Sequence, residues 1–528
     1  MFFNHRKTQL LTGLILLLLL GGFASVAFAA RNNTLIYGET SRPDTLDPYT
    51  SREMSSLRLS ELLFNGLVGI NESQEIVPEL AESWSIAQDK KTYTFKLRQN
   101  VFWHGAAREK FTAKDVVFTI NLIKHPKTQS ARKSLFDKFV DVKALDDYTV
   151  QFTLEKPSLN ALSLFSFKIL PEHALKRHKY LSKLNRFVNR PIGTGPYQFK
   201  SSNSNREITL VANDNYFLGK PKIAKIIMKP YSDKNIMNQA LTFNSLDMVV
   251  EVDPQHITEL QADSRFSLIG YNTLSYSFFA YNNNNPDLAN RDVRRALSQA
   301  INREEMLRAF YNNNGTIISG PFAPGSWAYN LDVIPLGYNP LKAIATLKQA
   351  GYIQTRNGFV DRKGRPLSFK MLVPISKNNE TNKRVILAYK NFLNKIGVQV
   401  QVNFVEKESW KKRVFANHDF DITYGTWAFD DAADISDIFH SAYNKPWQNN
   451  FISYHNPQVD KLIEQNQATT DHQVRRTINY NLHKLIADDS PYTFLWSLTQ
   501  FSGYSNKLKN VDIHPYKFFE NVHLWEFK

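Results

Sequence analysis

Residues 425–439 read GTWAFDDAADISDIF and place four aspartates, Asp430, Asp431, Asp434 and Asp437, beside Trp427, Phe429 and Phe439, in a chain whose formal net charge is +16. Carboxylates at this density suit three tasks. Asp430, Asp431 and Asp434 form a DDxxD pattern of the kind that holds magnesium. Asp434 and Asp437 can open a helix carrying Ile435, Ile438 and Phe439, where negative side chains complement the N-terminal dipole. An aspartate next to an indole can also receive a cationic ligand, the carboxylate giving charge and acceptors and the ring an apolar wall with a cation–π contribution. The magnesium reading finds no support elsewhere, because the chain has no second DDxxD.

Catalytic alternatives are few. A pair from Asp430, Asp431 and Asp434 has the residue types of a carboxylate-dependent glycosidase, but sequence does not fix the separation of two carboxylates in space. The chain has no GxSxG elbow, no HExxH zinc motif, no GxxxxGK phosphate loop and no cysteine. Its thirteen histidines are scattered without a close His-x-x-x-His pair, although His440 adjoins the acidic stretch and keeps a metal reading open. No catalytic residue, cofactor or resident metal is expected.

The elements that position these residues alternate between strand and helix. TYTFKLR sets Tyr93, Phe95 and Leu97 on one face of a strand, and YTVQFTL does the same for Tyr148, Val150, Phe152 and Leu154. Val385, Ile386, Tyr389, Phe392, Leu393 and Ile396 recur at helical spacing, Gly397 stops that helix, and Val398, Val400, Val402 and Phe404 alternate as the strand after it. A further helix is expected from about Asp292, capped by Asn290, with Val293, Ala296, Leu297, Ala300 and Ile301 inward and Arg294 and Arg295 in solvent. The strand FFAY before it should lead into a new domain. The fold class is therefore α/β.

At the amino terminus, NHRKTQ supplies a basic start, LLTGLILLLLLGGF an apolar run and AFA a small-residue cleavage pattern ending at Ala29. This reads as a secretory leader, 1–29, rather than a spanning helix, which needs roughly 20 apolar residues. Its removal takes Arg6 and Lys7, so the charge falls by two to +14 over the remaining 499 of 528 residues. That length exceeds what one core usually organises, so two or three domains are expected. Without cysteine there is neither a disulfide nor a lipid-anchoring thiol, and a soluble exported protein is expected. The basic excess can favour an anionic partner but equally reflects background composition.

Seven stretches in order, TLDPYTSREMSSLRLSELLFNGLVGI, IVPELAESWSI, TYTFKLRQNVFWHG, FTAKDVVFTI, PIGTGPYQFK, FFAYNNNNPDLANRDVRRALSQAINREEML and YNPLKAIATLKQAGY, resemble bacterial extracytoplasmic solute-binding proteins of the dipeptide- and oligopeptide-binding family. The resemblance covers the whole chain after the leader. It implies a two-lobed periplasmic-binding-protein fold of type II with an inserted subdomain: a discontinuous first lobe of residues 30–66, 190–272 and 497–528, an inserted subdomain of 67–189, and a second lobe of 273–496. It also implies a monomer in the periplasm that binds short peptides by closure of the two lobes and delivers them to an inner-membrane ABC permease with separate ATPase subunits, without nucleic acid. Related carriers take nickel chelates, haem, oligosaccharides or opines.

In the peptide-binding members, an aspartate three residues after a tryptophan pairs with the ligand's α-amino group. Trp427 and Asp430 match that spacing, with Asp431 as the next candidate. The family pattern reaches its next acidic residue and a proline sooner, whereas this chain has one extra residue and then Asp434 and Ile435. MLVPISKNN resembles the segment in which a basic residue meets the peptide carboxylate, which makes Lys377 a candidate, although a lysine grips a carboxylate less specifically than an arginine does. Tyr276, Phe278, Asn282 and Tyr49 are further expected contacts.

Overall fold

A computed structural model describes residues 33–528 except 52, 73–74, 129, 131–132, 158–160, 179, 182–186, 188, 376–379, 430–433, 470 and 516, and the side chain of 134. The leader and Ala29 lie outside the described residues. The chain divides into two compact units, unit 1 up to Ile269 with Ser502–Lys528, and unit 2, Gly270–Phe501. It thus passes from one to the other twice. Among the described residues no helix is long and apolar enough to cross a membrane.

Unit 1 opens with β1 (Thr34–Glu39), followed by α1 (Met54–Leu63). A separate four-stranded sheet lies within the segment expected as an inserted subdomain. It consists of β2 (Ala81–Ile86), β3 (Thr92–Leu97), β4 (Phe139–Asp146) and β5 (Thr149–Leu154) in the order β2-β3-β5-β4, all antiparallel. Tyr93, Phe95 and Leu97, and likewise Val150, Phe152 and Leu154, are buried while their neighbours are not, the alternation of a sheet with one wet face. Phe165 completes that core, its ring centroid 4.6 Å from that of Phe95 and 4.8 Å from that of Phe152.

The second sheet of unit 1 contains β6 (Tyr197–Ser202), β7 (Ile208–Ala212), β8 (Lys225–Pro230) and β9 (Met248–Val249) around β1. β1 runs parallel to β8 and β9, and β6, β7 and β8 form an antiparallel meander. β10 (Phe266–Asn272) is the strand on which the chain leaves unit 1.

Unit 2 is built on a five-stranded sheet of β11 (Ser275–Tyr281), β12 (Ser368–Pro374), β13 (Gln399–Val405), β14 (Ile422–Ala428) and β15 (Tyr492–Phe494), in the order β13-β12-β14-β11-β15. β12, β13 and β14 are parallel, and β11 is antiparallel to both neighbours. On one face lie α2 (Arg291–Gln299), α3 (Arg303–Tyr311) and α4 (Glu380–Lys395), whose Val293, Leu297, Met306, Val385, Tyr389 and Leu393 pack against Phe279, Tyr281, Phe369 and Met371. On the other lie α5 (Ser436–Phe439), α6 (Pro457–Ala468) and α7 (His472–Asp489), with Ile438, Phe439, Ile463, Leu482 and Ile486 against Tyr276, Phe278 and Leu372. Because both faces are covered, β11 is buried at every residue after Ser275, and its apolar side chains fall on both faces. The chain returns to unit 1 along β16 (Trp496–Ser505).

The expected α4–Gly397–β13 unit forms, Gly397 taking φ +85°, the left-handed conformation that ends helices. Phe404 departs from the pattern: β13 is an edge strand and the Phe404 side chain is 37% exposed. A larger correction concerns α2. Val293, Ala296 and Leu297 face inward as expected, but Arg294 is buried rather than solvated. Its Nη1 donates to Leu288 O, Ala289 O and Asn283 Oδ1, and its Nε and Nη2 to Asp489 O and Ser490 O, at 2.6–3.2 Å. One guanidinium thereby satisfies the carbonyls at the end of α7 and of the turn before α2, which explains how a charged side chain is held inside.

Candidate functional site

Trp427 lies near the carboxyl end of β14, paired in register with Tyr276 on β11. Its indole Nε1 donates to the Tyr492 hydroxyl at 3.3 Å, and its ring lies 5.9 Å from Phe278, nearly parallel, and 5.9 Å from Phe451. Phe278 in turn stacks on Tyr492 at 4.3 Å with an interplanar angle of 11°. Gly425 makes this possible: a Cβ there would sit 2.9 Å from Phe278 Cζ. The result is an aromatic block, buried except at the half-buried Trp427, which presents an apolar wall at one end of the sheet.

Tyr276 and Phe278 are 1% and 2% exposed and belong to the core beneath Trp427. The Tyr276 hydroxyl is buried with no hydrogen-bond partner among the described residues, and burial raises its pKa well above the ordinary value. Asn282 and Tyr49, also expected to touch ligand, make hydrogen bonds within the protein. Asn282 Nδ2 donates to His418 O and Phe420 O, and its Oδ1 accepts from Asn284 N. Tyr49, in unit 1, donates its hydroxyl to Lys168 O and packs its ring edge-on to Phe136.

Asp430, Asp431 and Lys377 lie outside the described residues, but the strands that lead to them do not. β12 ends at Pro374 shortly before 376–379, and β14 ends at Ala428 shortly before 430–433. β12 and β14 are parallel neighbours, so Pro374 and Ala428 end them at the same carboxyl edge of the sheet, where ligands of open α/β sheets gather. Asp434 and Asp437 divide the helix-start expectation between them. Asp437 falls in the first turn of α5 and accepts from Asn449 Nδ2 at 2.6 Å, whereas Asp434 precedes the helix and accepts from Ser436 N and Oγ at 3.0 and 2.6 Å. Desolvation raises the Asp437 carboxyl above its usual range, against that hydrogen bond.

His440 does not open a metal site among the described residues, where no group of three or more ligating side chains converges. Its Nδ1 accepts from Ala442 N at 3.1 Å. Ser319 and His483 sit at hydrogen-bond distance, 2.8 Å, in an arrangement that superficially suits a nucleophile and its base. Asn330 N donates to His483 Nδ1 at 3.0 Å, which places the imidazole proton on Nε2. Ser319 Oγ therefore accepts from His483 and cannot lose its proton to it. Burial lowers the His483 pKa to about 4.

Tyr492 and Phe451 were not singled out in the sequence, although they complete the block around Trp427. In SPYTFLW the two-residue spacing of Tyr492 and Phe494 marks a strand face, but nothing local joins it to a tryptophan 65 residues earlier.

The description "bacterial extracellular solute-binding proteins, family 5 middle" matches residues 75–450. The oligopeptide-binding protein AppA of Bacillus subtilis is 27% identical over 499 residues, covering 93% of this chain and 91% of that protein. Its structure in complex with a nonapeptide superposes with a TM-score of 0.73 over 94% of this chain and 99% of AppA. NikZ of Campylobacter jejuni in complex with Ni(L-His) is 25% identical, with a TM-score of 0.75 over 94% of this chain and 99% of NikZ. These relatives are binding proteins with the two-lobed α/β architecture. On the family match and the fold together, this chain belongs to the bacterial extracellular solute-binding proteins, family 5.

Proposed function

We propose that the protein is the substrate-binding component of an ABC importer, acting outside the cytoplasm, and that its ligands are short peptides handed to an inner-membrane permease driven by separate ATPase subunits. The observation that carries this reading is the placement of Trp427: an aromatic wall ends β14 three residues before Asp430, while the adjacent parallel strand leads to Lys377. Asp430 receives the ligand's α-amino group, with Asp431 as the alternative carboxylate, and Lys377 receives its carboxylate. A desolvated ammonium needs such a partner, since a buried unpaired ion costs several kcal/mol. The likeness to AppA, solved with a nonapeptide, supports the ligand class.

The test is calorimetric titration of a free peptide and its amino-acetylated form. Wild-type protein should bind the free peptide far more tightly, and Asp430→Ala should lose roughly 3–5 kcal/mol of affinity and most of that discrimination. Equal binding of the two forms removes Asp430 from the amine site. Recovery of a metal chelate instead of peptides from the native protein would leave the importer role and replace the ligand.

A further inference from the structure

Unit 2 holds a second buried guanidinium beside a cavity that nothing above accounts for. Arg303, at the start of α3, is 3% exposed. Its Nη1 donates to Phe494 O at 2.6 Å and Ile318 O at 3.4 Å, and its Nη2 to Leu336 O. No carboxylate lies within salt-bridge distance among the described residues. A guanidinium has five N–H donors. Arg294 engages all three of its nitrogens in six contacts. Among the described residues Arg303 has three contacts, and its Nε has no acceptor.

The guanidinium lines a cavity of about 150 Å³ together with Arg295, Ser298, Ser319 and Asp488. The hydroxyl of Ser298 is engaged by Arg294 O and Thr493 Oγ1. Ser319 differs. His483 donates to its oxygen, the Tyr329 hydroxyl lies at 3.1 Å, and Ser319 N already donates to that same Tyr329 oxygen. Either hydroxyl can donate across that pair; where Tyr329 does, the Ser319 proton is left for an acceptor in the cavity. Arg295 adds a second cation at the wall, 3.6 Å from Asp488, whose side chain is 58% exposed. The cavity thus combines two guanidiniums and one carboxylate already facing Arg295.

We propose that this cavity is a binding site for a small oxyanion of carboxylate or phosphate size, held by Arg303, the Ser319 hydroxyl and Arg295. A planar or tetrahedral oxyanion matches the guanidinium fork and accepts the serine proton, and it supplies the direct anionic partner that no carboxylate among the described residues gives Arg303. Tyr492 lines the same cavity and accepts from Trp427 Nε1, so occupancy is readable as a change in tryptophan fluorescence.

The experiment titrates inorganic phosphate and, separately, acetate into the mature protein at constant ionic strength, following heat and fluorescence. Saturable one-to-one binding is expected, weakened at least about tenfold in Arg303→Lys, which keeps the charge but loses the fork. Binding of acetate alone assigns a carboxylate, and binding of phosphate alone a phosphate. No saturable signal with either ion overturns the proposal. If Arg303→Lys does not fold, Ser319→Ala and Arg295→Gln carry the test: weakened binding in them supports the site, and unchanged affinity in both overturns it.

Discussion

In unit 1 a buried cation meets a carboxylate; in unit 2 it meets carbonyl oxygens. Arg58 Nε and Nη2 donate to Glu39 Oε1 and Oε2 at 2.7 and 2.8 Å, with the two side chains 9% and 0% exposed. Lys517 bridges Glu79 at 2.9 Å and Glu520 at 3.2 Å. Arg294 and Arg303 in unit 2 engage main-chain oxygens and the amide of Asn283. Only the first places ionisable partners beside the buried cation. A carbonyl dipole cannot be protonated away, so the hydrogen bonds of Arg294 and Arg303 do not titrate, whereas Arg58 and Lys517 have carboxylates as partners.

The largest expected effect is at the Glu39–Arg58 pair. Arg58→Met should destabilise unit 1 by about 3–5 kcal/mol in urea unfolding, because Glu39 is left as an uncompensated buried charge. Adding Glu39→Leu should recover much of that loss, since a packed apolar pair often matches a buried ion pair. A single-variant loss below about 1 kcal/mol, the range of an exposed pair, would break the comparison.

Acid should next separate the units. His104 in unit 1, whose Nδ1 accepts from Gly193 N, and His483 in unit 2 are both lowered by burial to about 4 from 6.5. The unfolded chain takes up these protons first, so each histidine's contribution is complete above pH 6.5 and is lost as pH falls toward 4, about 3 kcal/mol apiece. Below that, the units diverge. Burial pushes Glu79 up, but Lys517 and Lys168 outweigh it. Burial likewise pushes Glu520 up, but His514 and Lys517 prevail, so both carboxyls titrate below 4.5. Their stabilisation is present above that value and lost as pH falls through the lowered pKa. Although Asp47, Glu61 and Asp115 of the same unit are raised by burial and act the other way, hydrogen exchange should show amide protection around Glu79, Lys517 and Glu520 dropping further than in unit 2 below pH 4.5. Parallel loss in both would contradict the contrast.

Arg294→Lys tests the other side. A lysine cannot reach acceptors on both sides of a guanidinium, so the carbonyls of Leu288, Ala289 and Asp489 lose donors, and unit 2 should lose about 1–3 kcal/mol with no added pH dependence. The smallest change is Gly425→Ala, where the new Cβ displaces the Phe278 ring. About 1–2 kcal/mol is expected, with altered Trp427 fluorescence. An unchanged spectrum would show that the ring yields without disturbing its stack.

Features set by nearby residues were legible in sequence: the alternation of β3 and β5, the α4–Gly397–β13 unit and the Asn290 cap, whose side chain accepts from Asp292 N. Features completed by distant acceptors were not. Arg294 sits on a helix position that pattern assigns to solvent, and its partners at Asp489 and Ser490 lie some 195 residues on. The site divides the same way. Trp427 was visible as a spacing from Asp430, but Tyr492 and Phe451, which fix its indole, come together with it only through the order of strands.

The bond between Lys517 and Glu79 joins residues 438 positions apart, and it lies in a unit whose piece Ser502–Lys528 follows all of unit 2 along the chain. Unit 2 is continuous and has all its strands once Phe501 has been added, whereas unit 1 must wait for β16 and the segment behind it. Order of synthesis therefore favours early completion of the middle of the polypeptide and late completion of the half containing its beginning. The long-separation contacts of that half also make it the slower to close. A chain shortened by its final segment should keep a folded unit 2 attached to an open unit 1, a state in which the two halves can be handled, and degraded, separately.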